Sequence, residues 1–255
     1  MSLLVFTDLD GSLMEHESYS IKPAEKALAV LARKNIPLVM NSSKTAAEIE
    51  ALQKMMAMPG AYICENGAAL KLPEQAEPLK FGQPRMLWLE KVHEFRSQEG
   101  FKFQGFSDWS ASDIAELTGL DQKSAELSKQ REFSEPILWR DSANAKRKFV
   151  EQLSSLGLKL LEGGRFVSIQ SAFDKSNGMM WLKSQQNPTL TIALGDSPND
   201  EAMLNCADIA VVIKSAKSER IKLTGAQKVI RTKRPGPAGW QDAMLEILQQ
   251  YEGDS

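Results

Sequence analysis

The chain begins with a short apolar run that ends in two aspartates, and this arrangement limits the folds that the chain can adopt. Residues 3–6 are rich in side chains that favour a buried β-strand. Asp8 and Asp10 follow this run, and Gly11 allows a sharp turn after them. Carboxylates at the carboxyl end of a buried strand lie where open α/β sheets bind their ligands. The same residues also fit a solvated turn, in which Asp and Gly are common.

A second acidic motif, near the other end of the chain, favours the first interpretation. Residues 189–194 are an apolar run that leads directly into Gly-Asp-Ser-Pro-Asn-Asp at 195–200. If the two strands are neighbours in a parallel sheet, three or more carboxylates meet at their carboxyl ends. Burial of these charges together is costly unless a cation or a proton offsets them.

Strand-like and helix-like segments alternate through the first part of the chain. Apolar strands are predicted at 36–40 and 61–64, and a helix with capping-box spacing begins at Thr45. An Asn-Gly turn predicts that 68–72 returns as a strand. The alternation predicts an α/β fold with right-handed crossovers, in which a Rossmann-like, mostly parallel sheet carries helices on both faces.

A stretch rich in proline and glycine, at 73–84, interrupts this alternation. The following segment predicts short helices capped by Ser112 and Asp121, and a hairpin that turns at Gly163 and Gly164. We interpret it as a small α/β domain inserted into the main one. The predicted domains are a core at 1–82, the inserted domain at 83–171 and the rest of the core at 172–255.

The last part of the chain resumes the main domain. Short strands are predicted at 209–213 and 228–230, and a basic loop rich in Pro and Gly at 231–239. Apolar residues from Trp240 onward have the spacing of a closing amphipathic helix.

Composition and charge narrow the class of partner. The chain has 255 residues and a net charge of −2, which gives no general attraction to nucleic acid or to an anionic membrane. Cys64 and Cys206 lack metal-type spacing and suggest no disulfide framework. Neither a signal peptide nor a membrane-spanning apolar run is evident. We therefore expect a cytoplasmic protein with a small-molecule substrate, no nucleic-acid or membrane partner, and no obligate protein partner.

The predicted strand ends bring together the groups that phosphoryl transfer needs. Hard oxygen ligands suit Mg²⁺, and a nearby cation would keep Asp8 ionised as a covalent nucleophile. Asp10, two residues further, is placed to protonate the leaving group and then to deprotonate water. Lys175 and Mg²⁺ would neutralise charge on the transferred group, and Ser42 would donate a hydrogen bond.

These motifs, in this order, resemble those of the haloacid dehalogenase superfamily. The four corresponding segments are residues 8–12, Ser42, Lys175 and residues 195–200. The resemblance implies that Asp8 attacks phosphorus and that Asp10 acts as acid and base. It also implies that Mg²⁺ is held by Asp8, by the main-chain carbonyl of Asp10 and by Asp196. Asp200 would be a supporting acidic residue of this metal site, and the inserted segment would be the superfamily's cap.

A narrower resemblance is to the mannosyl-3-phosphoglycerate phosphatase family. It is carried by short segments at 42–45, 65–67, 131–136, 163–166 and 236–240. It implies that phosphate is removed from a glycosylated phosphoglycerate to leave mannosylglycerate. A small phosphorylated sugar acid is then the expected substrate. The residues expected to bind it are Ser43, Lys44, Arg131 and Arg165.

Other interpretations of these residues stay open. Arg165 also fits the end of a hairpin, and Lys44 also fits a side chain that covers the sheet edge. Arg131 also fits an ion pair with Glu132 or Glu135. Fold and chemistry do not fix the substrate, so a phosphatase for other sugar phosphates is an alternative. A phosphomutase and a catalytically silent ligand-binding module are further alternatives.

Overall fold

The computed structural model describes residues 2–15, 18–162 and 165–252. Its strands are β1 (Leu3–Thr7), β2 (Leu38–Asn41), β3 (Tyr62–Cys64), β4 (Ala69–Lys71), β5 (Leu79–Lys80), β6 (Phe103–Gly105), β7 (Ser134–Trp139), β8 (Leu158–Glu162), β9 (Val167–Ser171), β10 (Leu190–Gly195), β11 (Ile209–Lys214) and β12 (Lys228–Pro235). Its α-helices are α1 (Glu25–Arg33), α2 (Ala46–Met56), α3 (Leu89–Glu99), α4 (Ala111–Thr118), α5 (Gln122–Ser128), α6 (Ala143–Ser155), α7 (Ser176–Gln186), α8 (Glu201–Asn205) and α9 (Gly236–Glu252). None of the helices in these ranges is both long and apolar enough to cross a bilayer.

The larger sheet is mostly parallel. Its strand order, within the described residues, is β12-β11-β10-β1-β2-β3-β4-β5. The pairs from β12 to β3 are parallel, whereas β4 and β5 are added antiparallel. The structure therefore confirms the predicted α/β fold, including the return of the chain after β3.

β1 is a central strand that is buried on both faces. Val5 packs in a cluster with Leu28 of α1 and Trp240 of α9. Leu4 and Phe6 pack in a second cluster, with residues of α7 and α8. Because successive side chains of a strand point to opposite faces, helices on both sides of the sheet explain the unbroken apolar run of β1. The strand is thereby fixed in position, and so is the polar segment that follows it.

The smaller sheet is antiparallel, and its strands fall between residues 103 and 171. Its order in the described part of the chain is β6-β7-β9-β8. Rings of Phe103, Trp139 and Phe149 pack together on one face, with centroids 5.0–5.7 Å apart. The sheet has its own apolar core, as expected for an inserted α/β domain, while the boundaries at 83 and 171 stay a prediction. The predicted hairpin turn at Gly163 and Gly164 lies outside the described residues.

One of the two predicted helix caps in this segment is wrong. Ser112 lies inside α4, and Ser110 caps that helix through a capping box with Asp113. Ser110 stands three residues before the aspartate, which is the spacing that satisfies both end amides. Asp121 caps α5, as predicted, by accepting a hydrogen bond from Ser124 N.

The prediction of a basic loop at 231–239 is also wrong. β12 continues to Pro235, and α9 begins at once with Gly236. β12 lies at the edge of the sheet and pairs only with β11 among the described strands, and most of its side chains are exposed. Edge strands of this kind tolerate charged residues and proline. Because such residues are also common in loops, the sequence of this strand predicts a loop.

Candidate active site

The end of β1 places Asp8 and Asp10 at the carboxyl edge of the larger sheet. Asp8 N donates a hydrogen bond of 2.8 Å to Leu194 O, so the parallel pairing with β10 extends to this residue. Gly11 has a φ of +79°, a left-handed conformation that lets the chain turn directly after the second aspartate. Asp8 is buried, whereas Asp10 is partly exposed.

Lys175 lies between two carboxylates. Its Nζ is 2.5 Å from Asp8 Oδ1 and 2.5 Å from Asp200 Oδ1. The side chain is fully buried, at the start of α7. Burial by itself lowers the pKa of this lysine, but the carboxylates of Asp200 and Asp8 outweigh that effect and raise it. The ammonium group therefore stays charged at neutral pH and compensates two buried anions.

Asp200 organises the loop after β10. Its Oδ2 accepts hydrogen bonds of 3.0 Å from the backbone N–H groups of Asp196 and Ser197. Its other oxygen is held by Lys175, as described above. The carboxylate thus fixes the loop that carries Asp196, which is itself almost fully buried.

Three buried carboxylates converge at this point. Oxygen atoms of Asp8, Asp196 and Asp200 lie within 4.8 Å of one another. Burial raises the pKa of Asp8 well above its usual value; Lys175 offsets part of this rise, whereas Asp200, Asp196 and Asp10 add to it. An excess of negative charge built from hard oxygen atoms fits a magnesium ion. Both oxygens of Asp200 accept hydrogen bonds, one from Lys175 and the other from the backbone of the loop after β10, so this carboxylate also holds the loop in place.

The loop after β2 brings Ser42 to the same edge. Ser42 N donates to Ile63 O at 3.0 Å, and Ser42 O accepts from Asn66 N at 2.9 Å. The serine Oγ accepts a bond of 3.2 Å from Lys44 N. Ser42 is fully buried by these contacts and does not line the cavity described below.

Lys44 contacts the second aspartate rather than the cavity. Its Nζ is 3.0 Å from Asp10 Oδ2 and 3.9 Å from Glu48 Oε1, and it lies over the ring of Tyr19. Burial lowers the pKa of Lys44, but Asp10 and Glu48 outweigh it and raise the pKa overall. The predicted substrate-binding lysine is thus engaged with the predicted acid–base residue.

A cavity of about 260 Å³ lies between the two sheets, above the carboxylates. The larger sheet and its loops contribute Asp8, Asp10, Ser43, Asn66, Asp196, Ser197, Asn199 and Lys217. The inserted segment contributes Phe106, Arg131, Pro136, Leu161, Glu162, Arg165, Phe166 and Ser168. The cavity therefore joins the three aspartates at 8, 10 and 196 to Ser43 and to both predicted arginines.

Arg131 is held by neutral oxygen atoms. Its Nη1 donates to Ser134 Oγ at 3.0 Å and to Ser43 O at 3.3 Å. Its Nε is buried and has no partner among the described residues. Glu135, one of the two glutamates considered for an ion pair, is paired with Arg85 at 2.5 Å. Arg165 is exposed at the rim of the cavity.

Sequence reasoning missed several residues that build the site. Asn41 is fully buried, and its Nδ2 donates to Lys175 O at 2.7 Å. Asn199 Nδ2 donates to Asn66 Oδ1 at 3.1 Å, which joins two of the loops at the cavity. Asn41 is the last residue of β2, directly after its apolar residues, and this position was the available signal for it.

The C-terminal helix also supports the end of β1. Trp240 Nε1 donates to Thr7 Oγ1 at 2.9 Å, and Thr7 Oγ1 donates to Asp8 O at 2.7 Å. Trp240 and Thr7 are both fully buried. The hydroxyl group of Thr7 therefore links the indole of Trp240 to the backbone carbonyl of Asp8 by two hydrogen bonds.

Comparison with known proteins identifies the family. The sequence model of the haloacid dehalogenase-like hydrolases matches residues 5–156, which is more than half of the chain. This chain belongs to the haloacid dehalogenase-like hydrolases. The matched range includes Asp8, Asp10 and Ser42 but ends before Lys175.

Solved structures of two phosphatases of this superfamily and of a sucrose-phosphatase share the fold over nearly the whole chain. A subclass IIB sugar phosphatase of the superfamily has a TM-score of 0.71 at 18% identity, over 96% of this chain and 99% of that one. A superfamily phosphatase from Bacteroides thetaiotaomicron has a TM-score of 0.71 at 19% identity, over 96% and 95%. The sucrose-phosphatase from Synechocystis sp. PCC6803, solved with sucrose and phosphate, has a TM-score of 0.66 at 17% identity, over 96% and 98%.

Proposed function

We propose that this hydrolase is a magnesium-dependent phosphatase that acts on mannosyl-3-phosphoglycerate or on a close glycosyl-3-phosphoglycerate. The observation that carries the proposal is the position of Lys175 between Asp8 and Asp200, beside Asp196, below a cavity lined by arginines. This set supplies a nucleophile, a fixed positive charge and acidic metal ligands in one place.

Asp8 is the nucleophile in this proposal. One of its carboxylate oxygens accepts a hydrogen bond from Lys175, and the other attacks phosphorus to form an aspartyl-phosphate. The ammonium group of Lys175 holds the carboxylate in place and balances negative charge that develops on the transferred group. The bond from phosphorus to the sugar-acid oxygen breaks in the same step.

Asp10 provides the proton that the leaving oxygen needs. It then takes a proton from the water molecule that attacks the aspartyl-phosphate, so that Asp8 is released together with inorganic phosphate. Contact with Lys44 fixes the orientation of the Asp10 carboxylate at the cavity.

A magnesium ion would be held by Asp8, Asp196 and the main-chain carbonyl of Asp10, with Asp200 in support. When bound, it supplies positive charge against the phosphoryl oxygens. The acidic cluster and the pKa of Asp8, which is raised by burial and by its acidic neighbours, support a cation at this position.

Positive groups around the cavity support a substrate with a second anionic group. Arg131, Arg165 and Lys217 line it together with the aromatic rings of Phe106 and Phe166. Guanidinium groups suit carboxylates as well as phosphates. A phosphoglycerate that carries a sugar presents both anions, and the narrower sequence resemblance points to the same class. We expect this reaction in the cytoplasm.

A phosphatase for other sugar phosphates is the second candidate. The solved proteins that share the fold include a sugar phosphatase and a sucrose-phosphatase. A cavity of about 260 Å³ also has room for a simple sugar phosphate.

A kinetic panel tests the proposal. We expect kcat/KM for mannosyl- or glucosyl-3-phosphoglycerate to exceed that for hexose phosphates, with Mg²⁺ required and EDTA abolishing turnover. Equal or better values for hexose phosphates would favour the second candidate. Release of phosphate from no ester would contradict both.

Two variants test the assigned roles. Asp8→Asn and Asp10→Asn should each lower kcat by about a thousandfold or more, since nucleophile and proton transfer are lost in turn. Circular dichroism should show an unchanged fold. Full turnover by either variant would exclude this mechanism.

A further inference from the structure

A buried carboxylate outside the predicted catalytic set connects the two sheets. Glu65 lies in the turn between β3 and β4 of the larger sheet and is 1% exposed. Its Oε1 accepts from Glu132 N at 2.8 Å, and its Oε2 accepts from Phe133 N at 3.1 Å and from Ser134 Oγ at 2.6 Å. Residues 132–134 belong to the inserted segment, so the three hydrogen bonds that this carboxylate accepts within the described residues all come from that segment.

Ser134 passes this contact on to the cavity. Its hydroxyl donates to Glu65 Oε2, and the same oxygen accepts from Arg131 Nη1 at 3.0 Å. The serine is fully buried, so water does not compete for either bond. Because the Ser134 hydroxyl group donates its hydrogen bond to the carboxylate of Glu65, the lone pairs of its oxygen are available to accept from the guanidinium group.

The hydrogen bonds of Arg131 within the described residues come from Nη1, which leaves Nη2 as a donor for a ligand in the cavity that this arginine lines. Nη1 also bonds Ser43 O, and the guanidinium lies 5.4 Å from the centre of the Phe106 ring. Nε is buried without a partner among the described residues, although a buried N–H is costly to leave unpaired. The guanidinium group is therefore oriented by neutral contacts while its charge is not neutralised by a direct ion pair in the described set.

We propose that Glu65 and Ser134 are positioning residues, which hold the guanidinium of Arg131 at the cavity wall for the carboxylate of the substrate. The role rests on the proposed function, in that the substrate carries a carboxylate beside its phosphate. Glu65 acts through the serine hydroxyl, and it orients the arginine only while residues 132–134 are docked on the larger sheet. Specificity for a leaving group that carries a carboxylate therefore depends on contact between the inserted segment and the larger sheet.

The test compares the binding of two ligands, of which one carries a carboxylate and the other has a hydroxymethyl group in its place. Binding of 3-phosphoglycerate and of glycerol 3-phosphate is measured by titration calorimetry with Mg²⁺, for the wild type and for Ser134→Ala. We expect the variant to bind 3-phosphoglycerate about tenfold more weakly, a loss typical of a charge-assisted contact. Its affinity for glycerol 3-phosphate should stay within about twofold. Glu65→Gln should show the same selectivity.

Two further variants separate positioning from general damage. Added to Arg131→Ala, Ser134→Ala should change the affinity for 3-phosphoglycerate by less than about twofold, because the serine acts through the arginine. Ser128→Ala, a buried serine whose hydroxyl donates to Ala125 O within α5, should leave both affinities unchanged. Equal weakening of both ligands, or a full effect of Ser134→Ala without Arg131, would overturn the proposal.

The same samples distinguish this proposal from the proposed function. If 3-phosphoglycerate binds with the expected pattern but no phosphate ester is hydrolysed, the phosphatase function is wrong and the positioning role stands. If the ester is hydrolysed but the wild type binds both ligands equally well, Arg131 does not recognise the carboxylate and the positioning role is wrong.

Discussion

The buried charges near the active site are held by specific partners. Lys175 balances Asp8 and Asp200, and Glu65 accepts three hydrogen bonds from the inserted domain. A buried charge without such partners costs several kcal/mol. The buried carboxylates of Asp8, Asp196 and Asp200 lie close together, and this concentration of negative charge is the reason for the cation in the proposed function.

A carboxylate away from the cavity gives a pH-dependent prediction. Asp208 Oδ2 accepts bonds of 2.8 Å and 2.6 Å from Thr191 N and Oγ1, which joins the start of β11 to β10. Burial raises the pKa of Asp208, but these bonds outweigh it and lower the pKa below its usual value. A lowered pKa in the folded state stabilises the protein above the unfolded-state pKa, and this contribution is lost as the pH falls through the folded-state value.

Asp208→Asn should therefore cost about 1–2 kcal/mol in the free energy of unfolding near pH 7. The difference between wild type and variant should shrink below about pH 4, where the unfolded chain binds a proton at Asp208, and it should be smallest below the lower folded-state pKa. Urea unfolding at several pH values measures it. A difference that stays constant from pH 7 to pH 3 would contradict the assignment.

The candidate site was predictable where its residues belong to short local motifs. Asp8, Asp10 and Asp196 follow apolar strands, and that pattern places them at one sheet edge. The contact of Lys44 with Asp10 depends on where α2 packs, and the contact of Glu65 with residues 132–134 joins segments far apart in sequence. Such tertiary partners leave no periodic signal in a single sequence. The assigned roles of these residues stay predictions.

At the scale of elements, one turn serves both domains. Glu65, Asn66 and Gly67 between β3 and β4 have φ values of +47°, +61° and +103°. The side chain of Glu65 contacts the inserted segment, and Asn66 lines the cavity. The backbone of Gly67 lies against Asp174 and Lys175, just before α7. A Cβ atom at Gly67 would lie 1.8 Å from Asp174 O, so the turn and the segment before Lys175 approach as closely as glycine allows.

Gly67→Ala should destabilise the protein by more than the cost of a left-handed alanine, which is about 1–2 kcal/mol. The added methyl group must displace the backbone of Asp174, and this shift moves Lys175 and lowers kcat. Gly119→Ala is the matched control, because its φ is +81° but no atom lies within 4 Å of the new Cβ. Thermal unfolding and kcat of both variants check this; equal losses would mean that the close approach is unimportant.

Elements with strong local patterns were predicted well, and weakly patterned ones were not. The apolar run of β1 and the capping box at Thr45 gave correct starts, and the predicted strand at 189–194 differs from β10 by one residue at each end. β12 was shortened because its charged, exposed residues resemble those of a loop, although backbone pairing with β11 makes them a strand. Whether an edge segment forms a strand depends on its backbone pairing with the neighbouring strand, and composition does not reveal that pairing.

At the scale of the whole molecule, the two chain segments that connect the larger sheet to the smaller sheet lie side by side. Gln83 N donates to Ser171 Oγ at 2.9 Å. A Cβ atom at Gly82 would come within 2.7 Å of the ring of Phe173, so the two segments are in close contact. A rotation of the inserted domain would pivot at this pair of segments, and it would open the cavity that the domains share.

Metal binding should be visible in the stability of the whole protein. A ligand that binds only the folded state adds about 2.7 kcal/mol at 100 times its Kd, which for a chain of this size raises Tm by about 5–10 °C. We expect Mg²⁺ to raise Tm relative to EDTA and Asp196→Asn to remove most of this shift. Asp242→Asn, which breaks an exposed pair with Arg234, should keep it. An equal shift in both variants would place the ion elsewhere.

The position of β1 has a consequence for synthesis of the protein. This strand needs β10 beside it and Trp240 behind it, and both are made long after it. At about 5–20 residues per second, the ribosome takes on the order of 10–40 s to reach β10. During that interval the nascent chain exposes one unpaired, apolar strand edge, which is prone to aggregation. The segment that carries Asp8 is therefore translated well before β10 and Trp240, and it acquires these native neighbours only after they have been made.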